Sequence, residues 1–392
     1  MSRFLFLPMP GHGHVNPTLA VATELVARGH QVTYLLPDQF RDTVAATGAE
    51  LVEYPAPPFQ PPKPGEAVEG HLAALMQQLT ATAEQVAPLL LDLYDRQRPD
   101  LVVGENFSIW GTLLVAARSA RAVQLSASYP PGPQSPVTRR FPAAGNAGPP
   151  PVDTTRLAAA ADRYGVRVAD PASLIWGHTL PTVVFMPAEF HPFHEALGDT
   201  VHFVGPALGR PEPADGFDLS AWKTTPGVYV SLGTAFNERK EFFRACLEAF
   251  AHSDRPVLVN HGRRLGAADF PAVPDNNIVL ASHVPQLRVL EHAAAFVTHG
   301  GMGSTMEAIF HGVPMVVVPQ MVEQEATADR VAELGLGVQL DPADATPGAL
   351  AKAVDTVVSD PAYRAACARM GALARAAGGA PAAADVLEAA AT

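Results

Sequence analysis

The first hundred residues alternate short apolar runs with stretches of helical periodicity. Phe4–Pro8 and Gln31–Leu36 are apolar runs of buried-strand length. Between them, Thr18–Arg28 places Leu19, Ala22, Leu25 and Val26 on one helical face. Asn16-Pro17 offers a capping side chain and a proline suited to the first helical position, so a helix start is predicted there, with Gly29 as its stop. Strand, helix, strand in this order is a βαβ unit and predicts a parallel sheet. His71–Gln97 carries Leu72, Leu75, Met76, Leu79, Val86, Leu90 and Leu93 near helical spacing and predicts a long helix, with Pro88 the point where it would kink. Leu101–Val103 reads as another buried strand, followed by a helix over Ile109–Ala117.

Tyr54–Gly70 and Tyr129–Val152 are rich in Pro and Gly and show no period, so they read as long loops of the kind that border ligand pockets. Gly205–Gly216 has linker composition, and the alternation restarts beyond it. Strands are predicted at Gly227–Leu232, Pro256–Asn260, Ile278–Ala281, Ala295–Thr298 and Met315–Val318. Helices are predicted at Glu238–His252, Gln286–His292, Met302–His311 and Gln324–Leu334, and the Ala-rich tail from Thr346 is helical. Two α/β domains of similar size follow, with ligands expected at strand carboxyl ends facing a cleft.

Composition narrows the partners. With 48% apolar and 17% charged residues in 392, sizeable cores form and general disorder is excluded. The formal charge of −12 argues against nucleic acid or an anionic membrane, both of which reward clustered Lys and Arg. Cys246 and Cys367, both in helical segments, make neither a disulfide framework nor a metal site, which suits a reducing cytoplasm. The start lacks a basic n-region and breaks at Pro8 and Pro10, and no apolar run reaches the roughly 18 residues of a membrane span. A soluble, cytoplasmic protein is expected.

Two glycine-rich turns carry the chemistry. Pro10-Gly-His-Gly-His-Val-Asn-Pro17 lies between the first strand and the first helix, at the sheet's carboxyl edge. His14 there is a natural general base for an alcohol, and Glu105, directly after the strand Leu101–Val103, is a candidate to orient it. For His12 a structural role is preferred. In Phe296-Val-Thr-His-Gly-Gly-Met-Gly-Ser-Thr-Met-Glu307 an apolar strand runs through His-Gly-Gly into a helix, whose free amides suit phosphate, with Ser304, Thr305 and His299 as further donors. The Gly-Lys-Ser/Thr ending of a Walker loop is missing, and no G-x-G-x-x-G opens a helix, so ATP hydrolysis and dinucleotide chemistry lack support. Val284-Pro-Gln286, Pro319-Gln-Met-Val-Glu-Gln324 and Val230-Ser-Leu-Gly-Thr234 are polar turns after strands of the same sheet, and together they define a ligand edge better than any one motif.

With these residues the chain resembles the bacterial macrolide-type branch of the family 1 glycosyltransferases, nucleotide-sugar enzymes of the GT-B fold with two Rossmann-like domains. GHGHVNPTLA, FVGP, SLGTAFN, VPQL, THGGMGSTMEA, GVPMVVVPQMVEQ and an Ala-Gly-Gly tail fall in family order over essentially the whole chain. The resemblance implies inverting, metal-independent transfer of a sugar from a nucleotide diphosphate donor to a hydroxyl of a small apolar acceptor such as a macrolide, a flavonoid or another phenol. UDP-glucose is the first donor expected and a thymidine diphosphate deoxysugar the second. The donor is a co-substrate, and no cofactor and no metal are implied; no Asp-x-Asp motif is present.

Roles carry over by position. His14 matches the catalytic base, and Glu105 falls where the family usually has an aspartate. His299, Gly301, Ser304 and Thr305 match the diphosphate binders, with Thr234 a nearby phosphate contact. Gly303 replaces a frequent asparagine. Glu307 matches the ribose ligand, Val284 and Gln286 the base-binding turn, and His283 replaces a tryptophan that stacks on the base in many relatives. Glu323 and Gln324 match the pair that holds the sugar hydroxyls. The implied organisation is an acceptor domain over 1–207, a linker over 208–222, a nucleotide-sugar domain over 223–375, and a C-terminal helix, 376–392, crossing back to the first domain, in a monomer or weak homodimer. A nucleotide-sugar epimerase of the same architecture and a non-catalytic, transferase-like accessory protein stay open as other readings.

Overall fold

The apolar runs pair as strands and the periodic segments cover them, forming two α/β units in the computed structural model, which describes residues 1–56, 68–132, 134–140, 153–167, 174, 180–209, 217–233, 237–270 and 277–392. One unit is Met1–Gly209 with Ala377–Thr392, the other Arg210–Ala376. This is the two-Rossmann class expected.

The first unit holds a seven-stranded sheet of β1 (Arg3–Phe6), β2 (Gln31–Leu36), β3 (Glu50–Glu53), β4 (Leu101–Glu105), β5 (Ala122–Ser126), β6 (Thr182–Val184) and β7 (Val201–Phe203). Its order is β3-β2-β1-β4-β5-β6-β7, with every pair parallel. Both faces are covered, which is why the strands read as unbroken apolar runs. Phe4, Phe6, Tyr34 and Val103 pack on one side with the helix His12–Ala27. Leu5, Leu7, Leu35 and Val102 pack on the other with the helices Val68–Gln97 and Ile109–Arg118.

The last helix, Gly379–Ala391, belongs to this first unit although it ends the chain. Ala383, Ala384 and Leu387 are fully buried against the His12–Ala27 side. Arg28 donates to Asp385 (2.6 Å) and Glu388 (2.8 Å), and His30 meets Glu388 at 2.6 Å. The turn into the helix is tight: Gly379 N–H donates to the Val204 carbonyl at 2.6 Å, and a Cβ on Gly379 would lie 2.9 Å from the Pro206 carbonyl oxygen.

The second unit holds a six-stranded parallel sheet of β8 (Gly227–Ser231), β9 (Val257–Asn260), β10 (Ile278–Ala281), β11 (Ala293–Thr298), β12 (Met315–Val317) and β13 (Gly337–Gln339). Its order is β10-β9-β8-β11-β12-β13. Each sheet therefore reverses its strand order once, between β1 and β4 and between β8 and β11. At such a point adjacent connections leave on opposite faces and open a crevice above the strand carboxyl ends.

The first helix begins at His12 rather than at Thr18. The Gly11 carbonyl already accepts from His14 and Val15 N–H at 2.9 Å each. Pro17, inside the helix, forfeits only the bond to the carbonyl of exposed Gly13, where solvent substitutes. The edge strands β3, β7 and β13 and the inner strands β5 and β6 are not predicted from the pattern. The edge strands are only partly covered, β6 has three residues, and β5 carries the buried polar residues Gln124 and Ser126. Most of Tyr54–Gly70, Tyr129–Val152 and Gly205–Gly216, together with Thr234, lies outside the described residues. Among the described residues no helix is long and apolar enough to cross a membrane.

Candidate active site

Each motif sits at its sheet's reversal point. In the first unit, His14 is the third residue of the helix that leaves β1, and Glu105 is the last residue of the neighbouring β4. His14 Nδ1 lies 3.0 Å from Glu105 Oε1, and the other carboxylate oxygen accepts the Phe107 N–H at 3.3 Å. The added methylene of glutamate thus reaches the ring while both oxygens stay held. With Glu105 as a carboxylate, the shared proton belongs to Nδ1, which leaves the lone pair on Nε2. Glu105 is 3% exposed and His14 23%, so the acid is shielded while the imidazole reaches solvent. Phe107 meets the His14 ring edge-on at 6.1 Å. His12 is exposed and tilts toward Phe40.

In the second unit, β11 ends at Thr298, the turn His299-Gly300-Gly301 follows, and the helix Met302–His311 starts without a side-chain cap. Its first amides have no partner within the helix. The turn fits glycine only. Gly300 has φ +81°, and a Cβ there would come 2.6 Å from Val317 Cγ1. The His299 ring is wedged between two bare backbones: a Cβ on Gly301 would lie 2.4 Å from its Nε2, and one on Gly233 (φ +73°) 2.6 Å from its Cε1. Burial lowers the His299 pKa to about 4, so the ring is neutral at pH 7. Its Nδ1 is buried and has no hydrogen-bond partner among the described residues.

Gln286, Ser304 and Glu307 come together. Gln286 Nε2 donates to Ser304 Oγ (3.1 Å) and to Glu307 Oε2 (2.5 Å). Burial raises the Glu307 pKa to about 7, against the opposing hydrogen bond from Gln286. Thr305 does not join them: it is fully buried, and its hydroxyl has no partner among the described residues. The Val284 side chain is also buried, which leaves its main chain to the turn. His283 is exposed on the rim of an open cavity of about 590 Å³, with Phe217, His261, Arg263 and Leu280 on its walls. Glu323 lies in the first turn of the helix Val322–Glu333, and Gln324, 4% exposed, accepts the Gln320 N–H at 2.8 Å beside the Gly300 turn.

Tyr229 and Asn260 are further members that the sequence reading omits. Tyr229 Oη donates to Gln286 Oε1 at 2.8 Å and accepts from Asn260 Nδ2 at 3.4 Å. Tyr229 sits in an apolar run that reads as core, and only a polar residue at the end of the adjacent β9 hinted at a network.

The C-terminal domain model of the erythromycin biosynthesis protein CIII-like family matches residues 244–389. The chain is 36% identical to demethyllactenocin mycarosyltransferase of Streptomyces fradiae, covering 99% of this chain and 86% of that protein. It is 34% identical to the NDP-glycosyltransferase YjiC of Bacillus licheniformis, over 97% and 96% of the two chains. The crystal structure of the calicheamicin glycosyltransferase CalG4 is similar over 100% of this chain and 98% of that one, with a TM-score of 0.82 and 33% identity.

Proposed function

The chain belongs to the bacterial macrolide-type family 1 glycosyltransferases, and from that premise we propose that it moves a sugar, with inversion and without a metal, from a nucleotide diphosphate to an acceptor hydroxyl, His14 acting as general base. The observation that carries the reading is the His14–Glu105 pair, 3.0 Å apart at the reversal point of the first sheet.

His14 Nε2 takes the proton of the acceptor hydroxyl as its oxygen attacks the anomeric carbon. The bond from that carbon to the diphosphate oxygen breaks on the opposite face, and its electron pair leaves with the nucleotide diphosphate. Glu105 keeps the ring in the tautomer with Nε2 bare and offsets the imidazolium that forms. The amides that follow His299, together with Ser304, receive the charge that grows on the leaving diphosphate. Gln286 and Glu307 hold the ribose, and Glu323 and Gln324 the sugar hydroxyls. The donor is UDP-glucose in the first reading. A deoxysugar donor is the second, favoured by the name of the Streptomyces fradiae relative, a mycarosyltransferase. The acceptor is a small apolar natural product such as a macrolide or phenol.

The test is a panel of nucleotide sugars against macrolide and phenolic alcohols, with mass detection of products and the anomeric configuration read by NMR. Transfer with inversion is expected, and His14→Ala lowers kcat by about 10²–10⁴. A well-folded His14→Ala enzyme at full rate would remove the mechanism. A new sugar isomer formed from the donor alone would point instead to an epimerase.

A further inference from the structure

Gln286 faces the ribose-binding group from one side, and from behind it a directed chain of hydrogen bonds arrives. The chain starts at the main-chain N–H of Gly262, which can only donate and does so to Asn260 Oδ1 at 3.2 Å. That contact pins the Asn260 amide, so Nδ2 is the atom that meets Tyr229 Oη, at 3.4 Å. A phenol with a donor already on its oxygen gives its single proton onward, here to Gln286 Oε1 at 2.8 Å. Gln286 Nε2 is then left to donate to Ser304 Oγ and Glu307 Oε2. Tyr229 is fully buried and stacks on Phe296 with ring centres 4.8 Å apart and planes 12° from parallel, which holds its hydroxyl in place, with Ser231 as a second side chain within hydrogen-bonding reach of it. A side-chain amide has two orientations of nearly equal shape and opposite polarity. Reversed, Gln286 would turn its oxygen toward the Glu307 carboxylate.

We propose that Tyr229 and Asn260 are positioning residues whose relay, anchored on Gly262, fixes the polarity of the nucleotide-sugar site. Because Ser304 Oγ accepts from Gln286, its own proton is directed at a ligand oxygen. Because Glu307 Oε2 is held by Gln286, the carboxylate remains an acceptor for the vicinal hydroxyls of a ribose. The class of ligand selected is a nucleoside diphosphate with its ribose diol intact, so the relay favours the uridine donor of the first reading over a thymidine diphosphate donor, whose sugar lacks the 2′-hydroxyl. This inference rests on the reading of the site as a nucleotide-sugar site.

The experiment measures, by calorimetry, the affinities of the whole chain for UDP, for 2′,3′-dideoxyuridine diphosphate and for pyrophosphate. The wild type is expected to favour UDP over the dideoxy analogue by about tenfold or more, as a site built to bond hydroxyls rejects a ligand that lacks them. Tyr229→Phe keeps the ring and its stacking. It is expected to shrink that preference to about two- to threefold while pyrophosphate affinity falls by about twofold at most, because the helix amides remain in place, a split that a general loss of structure does not produce. Asn260→Ala should move the same ratio in the same direction, which provides the reading if Tyr229→Phe folds poorly. In a Gln286→Ala background, Tyr229→Phe should have no further effect on the ratio. Wild-type preference retained in both relay variants, or independent effects of Tyr229 and Gln286, would overturn the relay while leaving the proposed function intact. A wild type that binds pyrophosphate but no nucleoside diphosphate would overturn both.

Discussion

Glu105→Asp withdraws a carboxylate that meets His14 Nδ1 at 3.0 Å. Removing one methylene pulls the oxygens back by about 1.5 Å, to about 4.5 Å from the ring, beyond hydrogen-bond reach. Neither side readily follows, because the ring stands in the first turn of a helix and the acid is 3% exposed at the end of a central strand. A hydrogen bond to a charged group contributes about 1.5–3 kcal/mol. At an effective dielectric of about 20 the attraction to an imidazolium falls only from about 4 kcal/mol at 4 Å to about 3 kcal/mol at 5.5 Å. The two figures overlap, so a loss of about 2 kcal/mol is expected, or about 30-fold in kcat. Glu105→Gln keeps the reach and can still accept the Nδ1 proton but carries no charge, and it should lose about 100-fold, still less than the larger losses expected of His14→Ala. The assay is the initial rate of glycoside formation at saturating donor and acceptor, with thermal unfolding as a check on folding. An Asp variant at the wild-type rate, in a family that usually has aspartate there, would show that the 3.0 Å contact does not set the reactivity of His14.

The other predictions follow from groups in the second unit. Gly301→Ala and Gly233→Ala each drive a Cβ into the His299 ring and should raise the Kd for pyrophosphate and for nucleotide by about tenfold or more; unchanged calorimetric affinities would mean that the ring position is not needed. Glu307, raised from 4.5 to about 7, binds an extra proton in the folded chain, so its contribution to stability is lost as pH rises through that window. His299, lowered from 6.5 to about 4, does the opposite, losing stability as pH falls from 6.5 to 4. Over pH 4.5–6.5 the two offset each other, so Tm should rise with pH in Glu307→Gln and fall with pH in His299→Asn; parallel curves would contradict both shifts. Because the groups assigned to the diphosphate, the amides after His299 and Ser304, are dipoles rather than Lys or Arg in a chain of net charge −12, KM for the donor should not rise between about 50 and 500 mM salt, and a steep rise would point to a cationic site.

The fold was legible where periodicity and length agree. The first five strands of the second unit and the helix Met302–His311 lie close to where their apolar patterns place them, because buried parallel strands need uninterrupted apolar runs. The short edge strands were not legible, since β13 is a three-residue Gly-Val-Gln whose pairing is set by its neighbour rather than by its own pattern. At the first turn the rule that places proline at a helix start misled, because the glycines ahead of it already permit a helical turn. That error matters to chemistry: it moves His14 from a loop onto a helix, whose backbone fixes the ring against Glu105. In the site, residues that face a ligand edge stood out as polar residues in glycine turns. Tyr229 did not, because a buried tyrosine in a strand has the same local signature whether its hydroxyl is idle or holds a glutamine. The Thr305 hydroxyl was misplaced for a related reason: the sequence shows that it follows Ser304, but only the helix phase shows that it turns inward.

The two sheets use the same topological device for opposite electrostatic ends. At the reversal point of the first, a shielded carboxylate meets an imidazole that reaches solvent. At the reversal point of the second, the groups are a neutral, half-buried imidazole, uncapped helix amides and a relay of side-chain amide and hydroxyl dipoles. Dipoles fixed by the fold can stabilise charge as it grows on a leaving diphosphate with little reorganisation at the moment of reaction, whereas a flexible Lys must be ordered first. In the proposed mechanism a base that gains charge and an anion site built without formal charge would supply complementary halves of one displacement, and in each unit a glycine-bearing turn brings main chain and imidazole within a few ångströms of each other.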